Sequence, residues 1–286
     1  MSRSGKKRIR SELSLMIGTS GWSYKEWEKV FYPDSKTPKL RYYSSIFKTA
    51  EIDSTFYANP KKGLVFGWLR NTPSDFQFSV KLPQVITHKK KLDPELGVYA
   101  DLDDFLELMK PLHDAGKLGP LLIQLPPSFD SSMIDTLEKF LEVLPKDHMF
   151  AIEFRNVSWI EDSKDIYALL SRHNIANTIV DEPLLPVDLT LTSKEFAFIR
   201  WHGKGKRIWY DYEYSKEEID PWIPRVKEIS SNTKKTYGYW NNHFRGFAVE
   251  NSLELLQKLE LATDKQRETL TKVRSYIEDH KVQGWA

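Results

Sequence analysis

Glu153 and Arg155, Arg200 and His202, and Ser79 and Lys81 each stand two residues apart within short apolar runs, as do Glu51, Asp53 and Thr55. In extended backbone, residues two apart share a face. Each polar set therefore points one way, and Ile152 with Phe154, Ile199 with Trp201, and Phe78 with Val80 and Leu82 point the other. Charges gathered away from water are costly unless paired or hydrogen-bonded. Four segments that each place charges on one face point to a site. Glu153 suits general acid–base work, because burial should raise its proton affinity toward working pH; the alternative is an ion pair with Arg155 or Lys81. On that catalytic reading, Glu153→Gln should remove activity while leaving stability nearly unchanged or improved. His202, just before Gly203, can shuttle protons near neutral pH or ligate a metal, and it is paired with Glu153 as the expected catalytic couple. Arg155 and Arg200 are rigid forks for a carboxylate or phosphate, or they orient Glu153 and Asp181. Lys81 either holds an anion, acts as a nucleophile once desolvated, or pairs with Asp53 or Glu51.

Other residues are expected to bind substrate around this set. Asp53, Asp181, Asn241 and Asn242 end apolar runs and are placed as orienting groups. His88 is read either as a substrate contact or as a solvated loop residue, and Trp22 as a stacking surface or as packing at a rim. The loop at 203–214 (GKGKRIWYDYEY) combines glycines that allow close backbone approach, the basic side chains of Lys204, Lys206 and Arg207, and aromatics that can stack. With Lys89, Lys90 and Lys91 beyond another run, it is expected to set up a positive field at one mouth that draws in anions.

Eight apolar runs must position these groups, at 15–17, 50–52, 76–82, 121–125, 150–154, 175–180, 196–201 and 237–240. Helical stretches separate most of them, with Leu102, Phe105, Leu106, Met109 and Leu112 at helical spacing, and again Met133, Leu137, Phe140, Leu141 and Leu144. Val249, Leu253, Leu256 and Leu259 mark another helix. This is the rhythm of an α/β fold of the (β/α)₈ TIM type, which typically takes about 250 residues and places its chemistry where strands end. The 286 residues fit one such domain at 15–286. Two departures are expected. The strand 6–7 connection at 181–195 carries Pro183 and Pro186 and no helical period, so it should be irregular. An extra helix at 263–280 should close one end of the barrel. Residues 1–14, with Arg3, Lys6, Lys7, Arg8 and Arg10, are read as a basic solvated tail.

Composition narrows the classes. There is no cysteine, which removes disulfides, thiolate metal sites and cysteine nucleophiles. The formal charge of +2 does not suggest a general polyanion binder. No apolar run approaches the roughly 20 residues of a membrane span, and no signal peptide is evident, so a soluble cytoplasmic protein is expected. No Walker, GxGxxG, HExxH or GxSxG sequence is present, and no cofactor is expected.

The segments IGTSGWSY at 17–24, EIDSTFY at 51–57, FSVK at 78–81, ITH at 86–88, QLPPSF at 124–129, EFR at 153–155, RWHG at 200–203 and NN at 241–242 resemble the YecE-like family, domain of unknown function 72. The resemblance runs from about residue 16 to 259 and implies a TIM-type barrel with these motifs around its mouth. It carries no reaction with it. Where the family tends to have Asn-Asn-Asp, this chain has Asn241-Asn242-His243. The expectation is an enzyme for hydrolase-like cleavage or acid–base chemistry on a phosphorylated or otherwise anionic substrate. One alternative is a divalent-metal phosphodiesterase acting on nucleic acid, with Asp53, Glu153, Asp181, His202 and His243 as ligands, although the interleaved cations oppose it. The other is a non-catalytic nucleic-acid or metabolite-binding protein.

Overall fold

The computed structural model describes residues 14–161 and 163–283; most of the basic tail lies outside the described residues. The eight expected runs form eight parallel strands: β1 (Leu15–Thr19), β2 (Thr49–Ile52), β3 (Gln77–Lys81), β4 (Leu118–Gln124), β5 (Phe150–Glu153), β6 (Ala176–Asp181), β7 (Phe196–Trp201) and β8 (Lys235–Trp240). They pair in the order β1-β8-β7-β6-β5-β4-β3-β2. The ring is completed by a narrow seam between β1 and β2, where Ser20 bridges Glu51 and the Gly21 amide donates to the Glu51 carbonyl at 2.8 Å. The result is a (β/α)₈ barrel of the TIM type.

Helices pack outside the ring. The first ones are α1 (Lys39–Tyr43), α2 (Lys62–Arg70), α3 (Val98–Asp114), α4 (Ile134–Glu142), a single turn α5 (Ser158–Glu161) and α6 (Ser163–Arg172). After β7 come α7 (Lys216–Ile219) and α8 (Trp222–Asn232), and after β8 come α9 (Phe247–Lys258) and α10 (Asp264–Gln283). In α3, the period read from the sequence buries Leu102, Phe105, Met109 and Leu112 along one face.

Strand parity sorts the two cores. Phe78, Val80, Leu82, Ile152, Phe154, Ile199 and Trp201 belong to the layer beneath the helices. Inside the ring sit Met16, Leu122, Ala151, Ala176, Phe196, Phe198, Tyr237 and Tyr239. Polar interior groups at this level bond to one another: the Tyr239 hydroxyl meets Ser79 Oγ at 2.7 Å and Thr49 Oγ1 at 2.6 Å. This filled base supports the charged layer above it.

The β6–β7 connection carries no helix, as expected. Side chains hold it instead. Thr192 Oγ1 accepts from the Asn177 amide at 2.7 Å and donates to the Ile175 carbonyl at 2.6 Å, while the Asp188 carboxylate takes bonds from the Tyr167 hydroxyl and Asn177 Nδ2. The C-terminal helix differs from expectation in its place. It begins beside the end of α1, where Gln266 Nε2 donates to the Ile46 carbonyl at 2.8 Å, and runs along α9, where Arg274 pairs with Glu250. It therefore lines the outer wall and closes neither end, because Leu270, Val273 and Ile277 need an apolar surface to bury against. Among the described residues, no helix is long and apolar enough to cross a membrane.

Candidate active site at the carboxyl end of the barrel

The layer above the aromatic base is a closed set of charges. Arg200, on β7, is almost wholly buried and donates through one terminal nitrogen to Glu153 Oε2 at 2.8 Å and through the other to Glu51 Oε1 at 2.6 Å. Ser20 Oγ donates to the same Glu51 oxygen at 2.7 Å. Both terminal nitrogens of Arg200 are thus engaged, which matches the alternative expected for it, orienting Glu153, and not the anion fork. Arg155, just past β5, is ion-paired with Glu153 on one side and Glu182 on the other.

Glu153 does not have the proton affinity expected of it. Burial alone would raise it, but the Arg155 and Arg200 guanidiniums and His202 outweigh burial and hold its carboxyl well below the usual range. It is a fixed carboxylate at the foot of the site, which does not suit the general-acid role expected of it. His202 is neutral: burial, then Arg155 and Arg200, push it down to about 3. Its Nε2 lies 2.8 Å from an Arg155 nitrogen, and guanidinium can only donate, so Nε2 accepts and the ring hydrogen sits on Nδ1. Nδ1 lies 3.0 Å from the Asn241 side-chain amide, and with its hydrogen in place it donates there when the amide turns its oxygen toward the ring. His202 therefore accepts through Nε2 alone.

Above this floor opens a cavity of about 490 Å³. Asp53, Lys81, His88, Arg155, Arg200, His202 and Asn241, all expected at the site, line it. Gln124, Glu182 and His243 join them, with Phe56, Tyr57, Trp209 and Tyr210 as an aromatic surround. Burial raises the proton affinity of Asp53 against the opposing pull of Arg200 and Lys81. Burial also lifts Glu182 to about 7, with Arg155 opposing. Burial first, and Arg200 second, bring Lys81 down to about 8. Its Nζ lies 3.8 Å from the Phe56 ring centre, and among the described residues it forms no ion pair, contrary to the expected pairing with Asp53 or Glu51. His88, edge-on to Phe56 and bonded to Thr87 Oγ1 at 2.9 Å, is lowered to about 4 by burial, Lys81 and Arg155.

Several expected site residues lie elsewhere. Asp181 points into the wall, where it accepts from Trp222 Nε1 at 3.1 Å and pairs with Lys204 at 3.1 Å. Asn242 donates to the Tyr212 carbonyl at 2.8 Å and to Asn251 at 2.7 Å. Trp22 packs under the helices against Trp68 and Phe78. Lys206 is exposed and does not border the cavity. The expected positive mouth is thinned as well: Lys90 pairs with Asp101 at 2.6 Å, Lys91 donates to the Ser128 carbonyl at 3.4 Å, and Lys204 also meets Glu218 at 3.5 Å. Gly203 explains the fold of the 203–214 loop. Its φ is 86° and a Cβ there would stand 2.1 Å from the Trp209 carbonyl, so the loop doubles back and brings Trp209 and Tyr210 to the cavity.

Glu182 was missed, and a signal for it existed. Ala176 faces the interior, so alternation along β6 turns Asp181 outward and Glu182 inward, just as Tyr237 and Tyr239 inside predict Asn241 rather than Asn242.

The expected metal set does not assemble. Asp181 faces away, and guanidiniums stand among the remaining donors. Among the described residues, three ligand atoms lie mutually within 4.8 Å only at His113, Asp147 and His148, at the opposite end of the barrel.

The family model for "Protein of unknown function DUF72" matches residues 16–274. The chain belongs to the DUF72 family. Its similarity to UPF0759 protein YunF of Bacillus subtilis (strain 168) is 27% identity over 270 residues, covering 86% of this chain and 95% of YunF. UPF0759 protein YecE of Escherichia coli (strain K12) is 28% identical over 244 residues, covering 77% of this chain and 83% of YecE. A crystallised DUF72 family protein from Thermotoga maritima MSB8 superposes with a TM-score of 0.77 at 34% identity, over 86% of this chain and 99% of that one. The DUF72 match begins and ends within the barrel and α10, so it spans every strand but the first residue of β1.

Proposed function

We propose that this DUF72 barrel is a cytoplasmic enzyme performing acid–base chemistry, hydrolase-like cleavage or proton transfer, on a small anionic substrate carrying a carboxylate or phosphate. One observation carries the reading. Titratable groups displaced from their ordinary values, among them Asp53, Lys81, His88, Glu182 and His202, border one cavity at the strands' carboxyl ends. Glu182, near 7, can both give and take a proton at neutral pH and is the favoured acid–base group. Asp53 is the second proton carrier. Glu153, Glu51 and Arg200 hold the floor rigid, and neutral His202 offers an oriented polar contact. Lys81, without a carboxylate partner among the described residues, favours an anionic group, while Phe56, Tyr57, Trp209 and Tyr210 suit the flat or apolar body of the ligand.

Calorimetric titration of the full chain with inorganic phosphate tests this. Weak one-to-one binding is expected, lost in Lys81→Met, a substitution that leaves the buried ion pairs intact. Absence of binding, or equal affinity in the variant, would overturn the reading.

A further inference from the structure

We infer that Lys81 is a covalent nucleophile that forms an imine with the carbonyl of an aldehyde or ketone bearing an acid group, such as a 2-oxo acid. This rests on the reading of the mouth as an active site for anionic substrates, and deepens it by naming the substrate class.

The geometry separates Lys81 from every other cation of the site. Arg200 is clamped by Glu51 and Glu153, and Arg155 by Glu153 and Glu182. Lys81 stands at the end of β3 with its nitrogen against the Phe56 ring and no carboxylate partner among the described residues. A lysine kept only to neutralise the floor would sit against a carboxylate, as Arg200 does. An amine bordering the cavity at the end of a strand, beside an aromatic ring, is instead disposed to react. Desolvation leaves a useful fraction of it unprotonated near neutral pH, since it titrates near 8.

Imine formation also needs a proton supplied and removed at the same place, and Glu182 and Asp53 border the cavity with Lys81. The Nζ lone pair attacks the carbonyl carbon. The C–N bond forms as the C=O π pair moves to oxygen, which takes the proton of the Glu182 carboxylic acid. The adduct nitrogen returns a proton to that carboxylate, Glu182 then protonates the hydroxyl, and water leaves as the C=N bond forms; the remaining N–H proton returns to Glu182 to give the neutral imine, or stays as the iminium with Glu182 ionised. One amine and one carbonyl give one imine and one water, with no oxidant or reductant. An imine at this position withdraws electrons from the adjacent carbon, which is what proton transfer or bond cleavage there requires.

The test is reductive trapping of the full chain near pH 7 with glyoxylate and cyanoborohydride, followed by peptide mapping of carboxymethyl-lysine. Labelling at Lys81 is expected to be at least about tenfold faster than at exposed Lys89 or Lys206, because a far larger fraction of its amine is neutral than for an ordinary lysine near 10.4. Inorganic phosphate should slow labelling at Lys81 and leave the exposed lysines unaffected. Lys81→Arg, which keeps the charge, should still bind phosphate. Phosphate binding with no preferential trapping at Lys81 would overturn the imine and leave the anion site standing; loss of both would overturn both. Mapping the unsubstituted chain keeps the result independent of how any variant folds.

Discussion

Arg200 and its two carboxylates show what a buried charge requires of its neighbours. Removing one member leaves the others uncompensated in a dry interior, a loss that typically costs about 3–5 kcal/mol. Glu153→Gln is accordingly expected to lower unfolding stability on that scale in urea titrations, where a catalytic acid would leave stability nearly unchanged; an unaltered midpoint would return Glu153 to the catalytic role. The pH dependence follows from the same contacts. Glu153 is held below its ordinary 4.5, so its stabilisation is present above that value and is lost as pH falls through its lower folded value. His202, lowered from 6.5 to about 3, acts in the same direction, and stability should fall as pH drops across that window. Glu182 acts in the opposite sense. Raised from 4.5 to about 7, it contributes stability below 4.5 that is lost as pH rises through 7. Glu182→Gln should therefore gain on the unsubstituted chain between pH 5 and 8 in paired melting curves, while losing the activity proposed for the site. A stability difference that does not change with pH would mean that Glu182 titrates normally.

At the scale of elements, the period-two alternation placed Lys81, Arg155, Arg200 and His202 correctly, because a strand buried on both sides has only two faces to offer. The same rule stopped one residue short at β6. Ending the run at Val180 made Asp181 look like the strand-end acid, whereas carrying the alternation on reaches Glu182. What alternation could not reveal is which charges would pair, since Glu51, Glu153 and Arg200 come from three strands and their mutual distances depend on stagger around the ring. Nor could it place Trp209 and Tyr210, which depend on the turn at Gly203. The β6–β7 connection was legible as irregular from its prolines, but what secures it was not. Asp188 binds the connection to α6 through Tyr167 and to β6 through Asn177, and its other oxygen accepts from the Thr190 amide at 3.0 Å. Asp188→Ala should cost about 1–3 kcal/mol and speed hydrogen exchange at Thr190, with little change in the strands. Unchanged exchange there would show that the connection is held by its other bonds alone.

Across the whole molecule, the barrel is continuous except at one place, and that place is tied to the site. Between β1 and β2 the ladder reduces to the Ser20–Glu51 bridge, and the Tyr43 hydroxyl compensates. It accepts from the Thr19 amide at 3.0 Å and donates to the Thr49 carbonyl at 3.0 Å, spanning the two strands. Gly18 lets it do so: a Cβ there would lie 2.3 Å from the Thr49 carbonyl oxygen and 2.9 Å from the Tyr43 hydroxyl. Just above, Ser20 and Glu51 join the seam to Arg200, so a shift between β1 and β2 displaces the floor of the cavity. Tyr43→Phe should cost about 1–3 kcal/mol, because it leaves a buried carbonyl and amide without partners. Gly18→Ala should cost more, since the obstructing atom belongs to backbone and cannot rotate aside. In both variants, hydrogen exchange is expected to rise first at the Thr19 and Gly21 amides, and phosphate affinity should fall although neither residue borders the cavity. Exchange that rises evenly around the ring, with affinity unchanged, would show that the seam closes the barrel without positioning the site.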